Sequence, residues 1–312
     1  MIWLIGAGNM AVQYAKVLNA LNREFLTIGR RENSATLFMK ETGHFVETGG
    51  LKTWLEKRPE PPECAIVSVG VEALANISIQ LMEWGVKKIL LEKPGGLNRY
   101  EIFKIKKVAE INDADINIAY NRRFYASVFK AIELIEEDGG VLSIHFEFTE
   151  LVQKITNMTK YPGIKENWFF GNSTHVVDLA FFLGGKPDTI SVYHKGGLYW
   201  HPSASIFAGS GVTKTGALFS YSANWEAPGR WGIEVMTRSR RLILQPLEQL
   251  YVQDQGSFER KLVTLDNALD KKFKPGLFKM VEDFLNGKLL KLVSIDEQSE
   301  SINNYDQMAN YL

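Results

Sequence analysis

The chain has 312 residues, 45% hydrophobic and 23% charged, an ordinary globular balance at a length that predicts two domains. Thirty-six basic residues offset thirty-six acidic ones, so no net field points to nucleic acid or an anionic membrane surface. The single cysteine, Cys64, cannot form an intrachain disulfide, and no Cys/His cluster has zinc-finger spacing, so no metal is expected. The N-terminal apolar run is too short for a signal peptide, and no stretch approaches the ~20 apolar residues of a membrane span. The expectation is a soluble cytoplasmic protein.

The first ~120 residues alternate β-rich runs with helix-period segments, the pattern of a parallel α/β sheet. Strands are predicted at 2–5, 25–28, 65–69, 88–91 and 116–119. Most are continuous apolar runs, as strands covered on both faces should be. Apolar stripes at helical spacing run through Met10, Tyr14, Val17, Leu18 and Leu21, through Leu74, Ile77, Leu81 and Trp84, and through Ile102, Ile105, Val108 and Ala109. Cys64 opens one apolar run and reads as a buried thiol. A helix over 124–137 ends at Asp138-Gly139-Gly140. Residues 141–150 then alternate apolar and polar, a strand with one buried face. Further strands are predicted at 189–194, 216–223, 232–236, 242–244, 249–252 and 262–265, so 140–265 reads as a largely antiparallel sheet. Pro275 suits the first position of a helix over 276–285. Ser294 with Glu297 fits a capping box opening the last helix.

The first strand runs into Gly6-Ala7-Gly8-Asn9-Met10-Ala11, a G-x-G-x-x-A fingerprint between strand and helix. Gly6 permits the tight turn, Gly8 lets the backbone approach a pyrophosphate, and Ala11 allows close helix–strand packing. The helix N-terminus offers N–H groups and partial positive charge to phosphates. A dinucleotide is therefore expected, with Gly6, Ala7, Gly8, Asn9 and Met10 at the cofactor. An NAD-binding domain usually ends its second strand in Asp or Glu, for the ribose 2′-hydroxyl. Here that strand ends Gly29-Arg30-Arg31, with Glu32 slightly late, and two guanidiniums there could clamp a 2′-phosphate. NADP is expected over NAD.

The strand over 88–91 runs into Glu92-Lys93-Pro94-Gly95-Gly96, placing Lys93 beyond a carboxyl end, where ligands sit in doubly wound sheets. An ammonium there can polarise a carbonyl or hydroxyl and relay a proton; the bland alternative is a surface lysine. Taken in order, the glycine loop, Glu92-Lys93-Pro94 and Tyr120-Asn121-Arg122-Arg123-Phe124 resemble the glucose–fructose oxidoreductase / inositol dehydrogenase / MocA family. Asn172-Ser173-Thr174-His175-Val176-Val177-Asp178 is similar to its active-site helix. The resemblance implies an N-terminal Rossmann domain, a doubly wound parallel sheet at 1–119. It implies a C-terminal α/β domain at 120–312 with a large, mostly antiparallel sheet for substrate binding and oligomerisation. It makes Lys93 the catalytic lysine, His175 the active-site histidine and Lys93–Pro94 a cis peptide. It also implies a homodimer or homotetramer formed through the exposed sheet face.

Many family members carry aspartate where this chain has Gly171, so a Lys–Asp–His relay is not expected. Acid–base work falls to Lys93 and His175, with Tyr120 or Tyr161 as further candidates. His175 also admits a core role. Asp178 either orients a partner or is structural. Glu92, Lys93 and Asn121 are expected near the cofactor, and Tyr120, Arg122, Tyr161, Asn172 and Asp178 near the substrate, with Lys165, Asn167 and Trp168 in the loop before the helix. Among Asn121, Arg122 and Arg123, buried arginine pairing is an equal use. The expected reaction is hydride transfer between nicotinamide and a hydroxyl or carbonyl carbon of a sugar, nucleotide-linked or a glycan precursor. The alternatives are an NAD-using glycosidase of the same fold and a non-catalytic NADP-binding regulator.

Overall fold

Every residue of β1 (Ile2–Ile5) is buried, as a strand covered by helices on both faces must be. The computed structural model describes residues 1–312, which divide into two units. In chain order the first continues with α1 (Asn9–Ala20), β2 (Phe25–Ile28), α2 (Glu32–Thr42), β3 (Val46–Glu47) and α3 (Gly50–Glu56). Next come β4 (Cys64–Val67), α4 (Val71–Glu83), β5 (Lys88–Glu92), α5 (Arg99–Asn112) and β6 (Asp115–Ala119). These strands are all parallel, in the order β6-β5-β4-β1-β2-β3. The order reverses around β1, the switch point where doubly wound sheets bind ligands.

The second unit holds α6 (Ala126–Glu137), β7 (Ser143–Phe148), α7 (Val152–Thr156), a π-turn over Phe169–Ser173 and α8 (Thr174–Gly184). Its remaining strands are β8 (Pro187–Lys195), β9 (Ile206–Thr213), β10 (Leu218–Asn224), β11 (Trp231–Met236), β12 (Arg240–Leu244), β13 (Tyr251–Asp254) and β14 (Lys261–Leu262). They form one sheet in the order β14-β13-β12-β11-β7-β10-β9-β8, antiparallel except for β7 with β10. Helix α8 covers one face; Phe181 packs edge-on against Phe146 and Phe219, at 5.4 and 5.2 Å between ring centroids. The glycines of β9 follow from this aromatic layer. A Cβ on Gly209 would lie 2.4 Å from the Tyr221 ring, and one on Gly211 2.6 Å from that of Phe219 and 2.0 Å from the Thr189 carbonyl oxygen of β8. Those glycines also deplete β9 of strand formers, which hid it in the sequence.

The chain then forms α9 (Ala268–Lys272), α10 (Leu277–Leu285), β15 (Val293–Ser294) and α11 (Ile295–Ala309). Leu269–Glu300 belongs to the first unit, and Ser301–Leu312 to the second. A single division after residue 119 therefore differs from the observed one, in which the first unit takes a later segment. The reasons are pairing and packing. Val293 and Ser294 pair antiparallel with Ile118 and Asn117 of β6, and α10, which buries Leu277, Met280, Val281 and Phe284, contacts α1. Helix α10 opens one residue later than expected, on Gly276 in the left-handed region, whose N–H donates to Asp270 at 2.8 Å. Ser294 does cap α11, accepting the Glu297 N–H at 3.1 Å. Cys64 is buried, which pushes its thiol up to about 11. No helix is long and apolar enough to cross a membrane.

Candidate active site

In the first unit the expected groups share the carboxyl edge of the parallel sheet. Gly6 has φ +120°, and a Cβ there would meet the Ser68 carbonyl oxygen at 2.1 Å, so only glycine fits. Gly8, by contrast, has open space around its missing Cβ and caps α1 without any side-chain hydrogen bond. The N-terminal amides of α1 thus face a cradle suited to a phosphate. Ala7 and Ala11 are buried, Asn9 is exposed, and Met10 lies between. The hydroxyls of Thr27, in β2, and Ser68, beyond β4, are buried without a hydrogen-bond partner. Such groups are costly unless a ligand or water completes them. Arg30 and Arg31 are exposed at the tip of β2, while the nearby Glu32 carboxylate accepts the Thr48 hydroxyl at 2.5 Å. The residues present fit a dinucleotide.

Lys93 follows β5 directly, partly buried, and its peptide with Pro94 is cis. Tyr14, fully buried on α1, donates to Glu92 Oε1 at 2.6 Å. Burial pushes the Glu92 carboxyl up; the Tyr14 hydroxyl and the ammoniums of Lys93 and Lys274 pull it part of the way back. The same burial, with Glu92 beside it, drives the Tyr14 phenol well above its ordinary range. The amide of Gln298, on α11, donates to the Pro94 carbonyl at 2.9 Å and the Tyr120 hydroxyl at 3.2 Å. Tyr120 is itself buried, and Asn121 donates to the Pro275 carbonyl at 2.9 Å.

The second unit holds the other candidates. His175 lies in the first turn of α8, with its ring centroid 6.2 Å from that of Trp231, and Arg122 stacks its guanidinium over the same indole at 4.9 Å. Asp178 accepts two bonds from Arg123, at 2.9 and 2.6 Å, with both side chains buried. This is the buried arginine pairing the sequence left open. Asn172 and Ser173 both donate to Glu150. Tyr161 is 52% exposed in the loop before the π-turn, where Lys165 donates to the Thr156 carbonyl at the end of α7, Asn167 to the Gly163 carbonyl, and Trp168 packs edge-on against Trp200. Lys93 and His175 thus belong to different units.

Sequence reasoning missed Tyr14, Glu150, Trp231 and Gln298 as polar or ring partners of the expected residues, and Ser68 as a buried hydroxyl beyond β4. Tyr14 was read as one more position in an apolar stripe. Only Glu150 left a signal, a carboxylate closing the alternating run 141–150.

No protein-family model and no curated protein sequence matches the chain. Solved structures do. UDP-N-acetylglucosamine 3-dehydrogenase GnnA from Acidithiobacillus ferrooxidans superposes with a TM-score of 0.75 at 14% identity, over 99% of this chain and 96% of that one. Levoglucosan dehydrogenase in complex with NADH and levoglucosan gives 0.76 at 16% identity, over 99% and 96%. The WlbA dehydrogenase from Chromobacterium violaceum, in complex with NADH and UDP-GlcNAcA, gives 0.72 at 14% identity, over 99% and 93%. The fold is therefore shared along the whole chain: a parallel α/β sheet followed by a large, mostly antiparallel one.

Proposed function

We propose that this chain is an NADP(H)-dependent oxidoreductase acting on a hydroxyl or carbonyl carbon of a sugar derivative, with nucleotide-linked or glycan-precursor sugars as the substrate class. One observation carries the reading. The carboxyl edge of a single parallel sheet gathers an open glycine cradle, two exposed arginines and Lys93, at the ends of β1, β2 and β5. The fold shared with sugar dehydrogenases supports a sugar substrate, and UDP-linked sugars appear in the names of two of them.

When bound, the nicotinamide cofactor supplies or accepts the hydride. The α1 N-terminus holds the pyrophosphate, and Arg30 and Arg31 hold the 2′-phosphate. Lys93 donates a hydrogen bond to the reacting oxygen and stabilises the charge that develops there. His175 gives or takes the proton, and Tyr161, Asn172 and Arg122 contact the sugar. In this reading Tyr120, Asn121 and Asp178 serve the scaffold, engaged as they are with Gln298, Pro275 and Arg123. The exposed face of the second sheet serves as a homodimer or homotetramer contact. The test is steady-state turnover of NADP⁺ and NAD⁺ with a panel of free and nucleotide-linked sugars. Better kcat/KM with NADP⁺ on a sugar is expected. Absence of turnover with any sugar overturns the reading, as does sugar release without net change in nicotinamide absorbance.

A further inference from the structure

The helix that carries His175 does not begin as an ordinary α-helix. Phe169–Ser173 makes one π-turn before α8. Single π-turns are rare and concentrate at functional sites, because the extra residue persists only where surrounding structure holds it. At Gly171, inside the turn, a Cβ would meet nothing within 4 Å, so side-chain packing does not hold it from that side.

Polar side chains hold it instead. At the start, the Tyr311 hydroxyl accepts the Phe169 N–H at 3.2 Å. At the end, the Glu150 carboxylate accepts the Asn172 amide at 3.1 and 3.0 Å and the Ser173 hydroxyl at 2.7 Å. Beyond His175, the Arg123–Asp178 pair fixes the next turn. His175 is therefore bracketed by Glu150 on one side and Asp178 on the other. Asn172 precedes it by three residues, the spacing that places two side chains on one helical face.

Glu150 is not an incidental surface acid. It is 8% exposed, and Ser173 is wholly buried. Burying a carboxylate is expensive unless hydrogen bonds hold it. It also stands two residues past the end of β7, a central strand of its sheet, so the bonds it makes tie the turn to a rigid element.

We propose that Glu150 is the positioning residue of His175. By drawing Asn172 and Ser173 onto one carboxylate, it sets the π-turn and hence the direction in which α8 presents the imidazole. This rests on the reading of His175 as the proton-exchanging group.

The experiment compares Glu150→Ala with Glu150→Gln, which keeps the reach and one acceptor oxygen. Two readouts are taken: NADP(H)-linked kcat and KM on the best sugar of the panel, and the His175 ring resonance, assigned through its loss in His175→Gln. Glu150→Ala lowers kcat by about 10²-fold, the scale of a 1 Å misplacement, and raises KM as well, since Asn172 loses its anchor. It also moves the His175 resonance while that of His145 stays put. Glu150→Gln restores the resonance and most of kcat. The proposal is overturned if Glu150→Ala leaves kcat within about twofold of the parent, or if its loss matches the unfolded fraction and the His175 resonance does not move. Should no sugar be turned over by the parent protein, the functional reading fails by itself. The resonance then decides alone, its movement in Glu150→Ala supporting the positioning role and its constancy refuting it.

Discussion

Replacing Tyr14 by Phe removes one buried hydroxyl and leaves the ring packing of α1 in place. At 2.6 Å its bond to Glu92 lies in the range of a charge-assisted O–H···O⁻ contact. Such bonds contribute about 1.5–3 kcal/mol, against about 0.5–1.5 kcal/mol for a neutral pair. Burial already holds the Glu92 carboxyl above its ordinary value of 4.5, with Tyr14 among the groups that pull it down. Ionising a group whose folded value is raised costs stability, and the cost grows as pH rises from 4.5 through the folded value. Tyr14→Phe raises that folded value further, by about one unit for each ~1.4 kcal/mol lost. The loss is therefore pH-dependent: about 0.5–1.5 kcal/mol at pH 4, below the ordinary carboxyl value, and larger at pH 8 by as much as the carboxyl has ionised there, up to about 1.5–3 kcal/mol. Urea unfolding of parent and variant at the two pH values measures this directly. An equal loss at both would refute the reasoning, since the Tyr14 hydroxyl would then do nothing to pull the Glu92 carboxyl down.

Lys93→Ala should lower kcat by about 10²–10⁴-fold, the usual contribution of a positioned acid–base group, while NADPH binding followed by fluorescence changes little; near-parent turnover would remove Lys93 from the chemistry. Arg30→Ala with Arg31→Ala should weaken NADPH binding about tenfold or more and leave NADH nearly untouched, because only the former carries the phosphate those donors would hold. Both arginines are exposed, so the melting temperature should stay constant. Asp178→Ala takes the bidentate partner from buried Arg123 and should cost about 3–5 kcal/mol in denaturant unfolding; a loss under about 1 kcal/mol would mean the pair is not buried in solution.

The local features were legible because each has a short-range cause. Continuous apolar runs gave β1 and β5, alternation gave β7, and the Ser294 cap was visible as a spacing of three. Strand β9 was not legible, since Gly209 and Gly211 are demanded by the rings of Tyr221 and Phe219 more than seven residues away, not by β9 itself. The π-turn was equally silent. Gly171, Asn172 and Ser173 signal only a turn or helix start, and the cause of the π-turn lies in Tyr311 and Glu150, which are remote in sequence.

By itself, then, the sequence determined the glycine cradle, the arginines at the second strand tip, Lys93 at a strand end and His175 near a helix start. Those follow from backbone sterics and strand–turn–helix order, which neighbouring residues dictate. Tertiary structure decided which candidates the scaffold already employs. It committed Asp178 to Arg123, Asn121 to Pro275 and Tyr120 to Gln298, set Tyr14 behind Glu92 and Glu150 beneath Asn172, and drew Leu269–Glu300 back to the first sheet. These choices rest on hydrogen bonds between residues far apart in the chain. A buried polar group takes the partner that folding brings within about 3 Å, and no local pattern encodes which one that will be.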